Sequence, residues 1–221
     1  VARKKLDVPR EWSWSAAVAK HFDSHVRESL PWYDLATGAV AHIARAYVPR
    51  EGVVIDVGAS TGNVGRALAP VLKARSATLR AIDSSVEMRD VYRGPGVLEV
   101  VDAEEFDFAG AAPDLIVCFL ALMFVPVSTR RLLVERMKEA LRPGGAIIVF
   151  DKMVPRPGYV GTVAYRLTLA AKMDAGASPA EVVAKELSIA GVQRPMSEGE
   201  LGGFVEVFRF GDFAGFVHER D

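Results

Sequence analysis

The run VVIDVGASTGNVG, residues 53–65, limits this chain more than any other stretch. Apolar, β-branched residues flank Asp56, and Gly58, Gly62 and Gly65 follow among small residues. Such a run predicts a buried strand that breaks into a tight turn. Glycine lets the backbone turn sharply and lets a ligand approach it closely. In an open α/β sheet, a loop between a strand and a helix is a usual seat for a nucleotide-like cofactor.

The rest of the chain fits that setting. Strands are predicted at 52–58, 77–83, 96–103, 113–120 and 146–151. The fourth, PDLIVCFL, is continuously apolar, as a parallel strand buried on both faces must be. Helices are predicted at 63–74, 85–92, 128–141 and about 159–173, and another starts at Ser178. Ser178 and Glu181 form a capping box, with Pro179 at the first helical position. In the 128–141 helix, Leu132, Leu133, Met137 and Leu141 recur at helical spacing, Arg136 breaks the stripe, and RPGG ends it. The segment 204–220 reads as two strands joined at Gly211-Asp212, an antiparallel hairpin at a sheet edge. The expected fold is α/β: a doubly wound, Rossmann-like sheet, mostly parallel, with helices on both faces and a C-terminal hairpin. One domain of 221 residues is expected. Its parts are a helical cover over 1–50, a cofactor-binding core over 51–152, a helical substrate region over 153–203 and the hairpin over 204–221.

Composition narrows the function classes. With 27 basic and 28 acidic residues, the chain has no broad cationic surface for nucleic acid. Its single cysteine, Cys118, allows no intrachain disulfide and suits a reducing cytoplasm. The apolar run 115–127 is too short to span a membrane, and the basic amino-terminal stretch has no apolar signal region. His21 and His25 share a helix face, but a metal site needs a third ligand and none is apparent. Arg130 and Arg131 read as a solvated helix start, and Trp12 and Trp14 as packing residues.

The glycine spacing selects among cofactors. A dinucleotide fingerprint, Gly-x-Gly-x-x-Gly, fails because Ser60 and Asn63 stand where glycines are required. The pattern Asp56-x-Gly58-x-Ser60-x-Gly62 resembles the first motif of class I S-adenosylmethionine-dependent methyltransferases, with Ser60 in place of the middle glycine. Asp83, ending the second strand, can accept both ribose hydroxyls through charge-assisted hydrogen bonds. The resemblance implies that Asp102, after the third strand, takes the adenine amino group.

A longer likeness covers SLPWYDL, AIDSSVEM, RPGGAIIVFDK, AGASPAEVVAKELSIAGV and FRFGDFAGF. Together these resemble the carboxy-S-adenosylmethionine synthase branch, which uses prephenate to carboxylate the cofactor for later tRNA modification. That likeness implies that Tyr33 reaches over S-adenosylmethionine. Gly58, Ala59 and Ser60 would line its methionine part, Asp83 and Ser84 the ribose, and Asp102 and Ala103 the adenine. It also implies a possible homodimer. Two departures stand out. Phe119 occupies the place of the branch's Asn, and MSEGELGG leaves little room for the helix whose Arg holds the new carboxylate. Arg166, Arg194 or Lys152 would have to replace that Arg. The leading expectation is a methyltransferase with an unidentified small-molecule or tRNA-related acceptor. Its polar candidates for catalysis are Tyr33, Asp151 and Lys152. The alternatives are a carboxy-cofactor synthase and a cofactor-binding subunit completed by a partner.

Overall fold

The computed structural model describes residues 12–221, so most of the basic amino-terminal stretch lies outside the described residues. Two helices, α1 (Ala16–Ser29) and α2 (Tyr33–Tyr47), precede the alternating core. The core runs β1 (Val53–Val57), α3 (Asn63–Arg75), β2 (Thr78–Asp83), α4 (Val86–Val91) and β3 (Leu98–Val100). It continues with α5 (Phe108–Ala111), β4 (Leu115–Phe119), α6 (Val127–Ala140) and β5 (Ala146–Lys152). Two further helices, α7 (Tyr159–Asp174) and α8 (Pro179–Ser188), lead to β6 (Val205–Phe210) and β7 (Phe213–Glu219). The seven strands form one sheet in the order β3-β2-β1-β4-β5-β7-β6. β1 to β5 pair in parallel, and β7 runs antiparallel between β5 and β6, so the expected edge hairpin is present.

The alternation of side chains across each strand builds two cores. Val54, Leu115, Val117, Ile148 and Phe150 face a layer formed by α2 and α3. Ile55, Ile116, Cys118, Ile147 and Val149 face α6, which contributes Leu133, Val134 and Met137. Each fully buried aliphatic side chain here is worth about 2 kcal/mol relative to exposure. The central strands, apolar on both faces, therefore anchor the fold and fix the loop after β1. The strand order reverses between β1 and β4, so the loops that follow their carboxyl ends diverge and leave a crevice.

Three expectations change. The 1–50 cover divides in two: α1 lies over the loops, but Ala36, Val40 and Ala44 of α2 are fully buried in the main core. On α6, Leu132 is 65% exposed, and Arg130, read as solvated, is 0% exposed. The buried stripe on α6 runs Arg130, Leu133, Val134 and Met137 and continues to Leu141, so Leu133, Met137 and Leu141 face the core as expected and Leu132 alone departs. Arg130 survives burial because Nε donates to Glu200 Oε1 at 2.8 Å, while Nη1 donates to the carbonyls of Leu122 (3.2 Å) and Arg194 (2.7 Å). Arg136, the break in the stripe, donates to the carbonyls of Glu104 and Phe106 at 2.6 and 2.8 Å and so holds the loop after β3. His25, on α1, is half-buried and stacks its ring on Trp12 with centroids 5.8 Å apart.

Candidate active site

The loop after β1 takes its form from three left-handed residues. Gly58, Ser60 and Gly62 have φ of +68°, +51° and +84°. At Gly58 a Cβ would stand 2.7 Å from the Ala121 Cβ, and at Gly62 it would stand 2.4 Å from the Gly94 nitrogen. Neither site admits a side chain. Ser60 occupies a glycine-favouring conformation, which explains why the resembled motif carries glycine there. Hydrogen bonds pin the turn: the Ala59 amide donates to Ile82 O at 2.9 Å, and the Gly62 amide donates to Ala59 O at 2.8 Å.

Asp83 faces this loop from the end of β2. Its Oδ2 accepts the Ser60 amide and its Oδ1 the Ser85 amide, both at 2.9 Å. Burial raises its pKa, and the two amides oppose that rise. The carboxylate is thereby fixed in orientation, with further lone pairs left for hydroxyl donors. Asp102 is more exposed, and its Oδ1 accepts the Glu104 amide at 2.8 Å. The cleft between these groups is lined by Tyr33, Gly58, Ala59, Ser60, Asp83, Ser84, Asp102, Ala103 and Phe119. It therefore brings together nine of the residues picked from the sequence. Its charged lining is Asp83, Asp102 and Glu104, and no lysine or arginine lines it among the described residues.

Aromatic rings close the cleft. Tyr33 meets Phe119 edge-on with centroids 5.3 Å apart. Burial, the largest influence, and then Asp23 push the Tyr33 hydroxyl well above its ordinary pKa, so it stays protonated. Tyr33 forms an aromatic wall of the cleft. Phe119 packs on Phe150 and shapes the floor without offering the polar atom of an Asn.

α1 is latched to the glycine loop by polar contacts. Thr61 Oγ1 donates to Asp23, and Arg66 Nη2 donates to Asp23 Oδ2 at 2.8 Å. Arg27 Nη2 donates to Asn63 Oδ1 at 2.8 Å. A cover held by part-exposed polar contacts opens more easily than one held by a core. Asp23→Ala is expected to speed release of a ligand bound in the cleft several-fold while the melting temperature changes little. Stopped-flow displacement measures this, and an unchanged off-rate would make α1 a packing element only.

A second cavity, of about 200 Å³, adjoins the cleft and shares Trp14, Phe22, Leu120 and Phe124 with it. Trp14 packs edge-on against Phe22 and Phe124 at the boundary. α7 and α8 supply its far side, including Lys172, Lys185 and Glu186. Sequence reading missed these residues. Their only signal is the spacing of Lys185 and Val182 on one helix, which is equally a plain amphipathic pattern.

Other candidates lie elsewhere. Asp56 is buried beneath the loop and does not line the cleft; burial, then Asp83, raise its pKa to about 7, while the Gly65 amide opposes this. Gly62 sits behind the cleft at the start of α3. Asp151 is also buried, and its carboxyl accepts the amides of Met123 and Lys152 at 3.1 and 2.9 Å. It organises the turn after β4 and lines neither cavity. Lys152 lines the second cavity, 3.3 Å from Glu186 Oε2. Arg166 is exposed on α7, and neither it nor Arg194 lines either space. Cys118 lies in the sheet core, and burial raises its pKa well above the ordinary value.

Residues 54–145 match the family described as a methyltransferase domain. The carboxy-S-adenosyl-L-methionine synthase of Staphylococcus epidermidis is 27% identical over 95% of this chain and 97% of its own length. The enzyme of that name from Wolinella succinogenes is also 27% identical, over 97% of this chain and 95% of its own. Among solved structures, the plantazolicin methyltransferase BpumL in complex with SAH superposes with a TM-score of 0.62 at 12% identity, covering 92% of this chain and 89% of that one. The magnesium protoporphyrin IX methyltransferase of Synechocystis superposes at 0.56 with 14% identity, covering 88% and 86%. These structures share the strand-and-helix plan described above. Residues 54–145 therefore match a methyltransferase domain, and the chain shares the Rossmann-like fold of these solved methyltransferases.

Proposed function

We propose that this protein transfers the methyl group of S-adenosylmethionine to a small acceptor held in the adjoining cavity. The observation that carries this reading is the charge of the cofactor cleft: three carboxylates, aromatic walls and no lysine or arginine among the described residues. The bound cofactor supplies an electrophilic methyl on a cationic sulfonium. Acidic groups and ring faces favour such a cation. The chain's own task is then chiefly orientation. Asp83 and Asp102 fix the nucleoside end, the glycine turn admits the methionine end, and Tyr33 and Phe119 exclude water from the reacting face. The mostly apolar lining of the second cavity favours a small molecule over tRNA as acceptor. Among the described residues no helix is long and apolar enough to cross a membrane. With a single buried cysteine, a cytoplasmic setting suits the protein.

The names of the two full-length relatives favour a second reading, formation of a carboxylated cofactor with prephenate. That product places an anion beside the sulfonium and requires a nearby cation. Of the replacements considered, only Lys152 reaches a cavity, and it is already paired with Glu186 and Asp212. The third reading, a subunit completed by another chain, rested on the short 194–204 segment. That segment is folded onto the body: Ser197 and Glu200 form a capping box, and Glu200 binds Arg130. This supports a self-sufficient site.

Incubation with S-adenosylmethionine and prephenate, followed by mass spectrometry, tests the choice. No carboxylated sulfonium is expected, and a peak heavier by one carboxyl group would reverse the ranking. Titration calorimetry in parallel should show saturable binding of S-adenosylmethionine and none of NAD.

A further inference from the structure

We infer that Lys185 is a nucleophilic amine that captures apolar aldehydes and ketones as an imine in the cavity beside the cofactor cleft. The inference rests on that cavity and stands apart from the methyl-transfer reading.

Among the described residues three lysines reach the cavity: Lys152 from β5, Lys172 from α7 and Lys185 from α8. Two of them are neutralised by one carboxylate. Lys172 Nζ lies 2.7 Å from Glu186 Oε1, and Lys152 Nζ lies 3.3 Å from Glu186 Oε2 and 3.8 Å from Asp212 Oδ2. Both oxygens of Glu186 are thus occupied. Burial works against its ionisation, but Lys172 and Lys152 together hold its pKa below the ordinary value. Lys185 is the neighbour of Glu186 in sequence, so the helix turns its side chain roughly 100° away. Among the described residues no carboxylate oxygen lies within 4.0 Å of its amine, which sits instead over the Trp12 ring.

Among the described residues the other titratable groups facing this space do not supply the missing charge. His25 of α1 is neutral at pH 7, because burial, then Lys185 and Lys172, lower its pKa to about 4. Glu28 of α1 and Glu181 of α8 also line the cavity, each beyond 4.0 Å from the Lys185 amine, and Glu181 has an interaction of its own. The Trp12 face favours an ammonium, yet a ring contributes less than full hydration does. Burial foremost, then repulsion from Lys172, bring the Lys185 amine down to about pH 7, with Glu186 opposing. A desolvated lysine next to another cation is the usual arrangement for an amine that attacks carbonyl groups.

The walls define the ligand. Trp14, Phe22, Met123, Phe124 and Phe213 give an apolar, aromatic lining. An aldehyde or ketone with an apolar body fits it. In the reaction, the Nζ lone pair adds to the carbonyl carbon, the π pair moves to oxygen, and a proton passes from nitrogen to that oxygen. Loss of water from the resulting carbinolamine leaves the imine, with no oxidant or further reactant. The shared wall of Trp14, Phe22, Leu120 and Phe124 places such an adduct next to the cofactor cleft.

The test is reductive trapping of the whole 221-residue protein with benzaldehyde and cyanoborohydride at pH 7, mapped by peptide mass spectrometry. Benzylation at Lys185 should be faster than at the exposed Lys20 and Lys73 by about tenfold or more. Its rate should be half-maximal near pH 7. Lys185→Arg should abolish that label, leave the rates at Lys20 and Lys73 unchanged, and retain S-adenosylmethionine binding by calorimetry. The ranking of lysines within the unaltered protein needs no variant. Equal labelling of Lys185 and the exposed lysines, or earlier labelling of Lys172 or Lys152, overturns the inference. Loss of cofactor binding in the unaltered protein would instead count against the methyltransferase reading.

Discussion

Asp83→Ala is expected to weaken S-adenosylmethionine binding by about 2 kcal/mol or more, roughly thirtyfold in Kd. The size follows from geometry. Both carboxylate oxygens already accept a backbone amide, from Ser60 and Ser85. The carboxylate is held before any ligand arrives, so its charged hydrogen bonds to the ribose cost little further ordering. Alanine removes those bonds and also frees the Ser60 amide, which belongs to the glycine turn itself. Asp83→Asn should recover only part of the loss, because its amide nitrogen would face one of the two donors. Stability should fall less than affinity, since Asp83 ends a strand at a site that water can reach. Calorimetry and thermal melting separate the two effects. Wild-type affinity in the alanine variant would show that Asp83 only ties the turn.

What the sequence made legible follows from which forces act locally. The strand runs, the glycine turn and the capping box at Ser178 are set by residues close in the chain, so their patterns can be read directly. The acids after β2 and β3 were legible for the same reason: a strand end fixes where the next side chain stands. Side chains whose environment comes from distant segments were not legible. Arg130 looks like an ordinary helix-start cation until Glu200 and the Arg194 carbonyl, more than sixty residues later, close around it. Asp56 looks like a ligand until the loop folds over it. α2 reads as part of the helical cover, yet its narrow stripe of Ala and Val allows the close contact with α3 that buries it. The second cavity is the extreme case, with walls drawn from α1, the turn after β4, β5, α7 and α8.

Arg130→Met should cost about 3 kcal/mol or more of stability, the scale for breaking one partner of a buried ion pair. Arg130 is 0% exposed, and Glu200 keeps 15% of its side chain exposed, so water relieves the orphaned carboxylate only in part. The loss also removes the Arg130 donor from the Arg194 carbonyl and one of the two donors from the Leu122 carbonyl, which keeps the Val125 amide. For a chain of this size that corresponds to a fall of roughly 6–12 °C in Tm. The consequence reaches the site because Leu122 belongs to the short 3-10 helix Leu122–Phe124. Phe124 from that helix lines both cavities, and Met123 lines the second. Acceptor-dependent turnover should therefore fall more than cofactor affinity, which depends on Asp83 and the glycine turn. The double variant Arg130→Met, Glu200→Leu removes the stranded charge and should regain part of the stability without restoring the segment's geometry. A single variant that melts within about 2 °C of the parent would show that packing of α6 alone holds this corner. Arg130 would then be a tolerated burial and not the tie between the turn after β4 and the 194–204 segment.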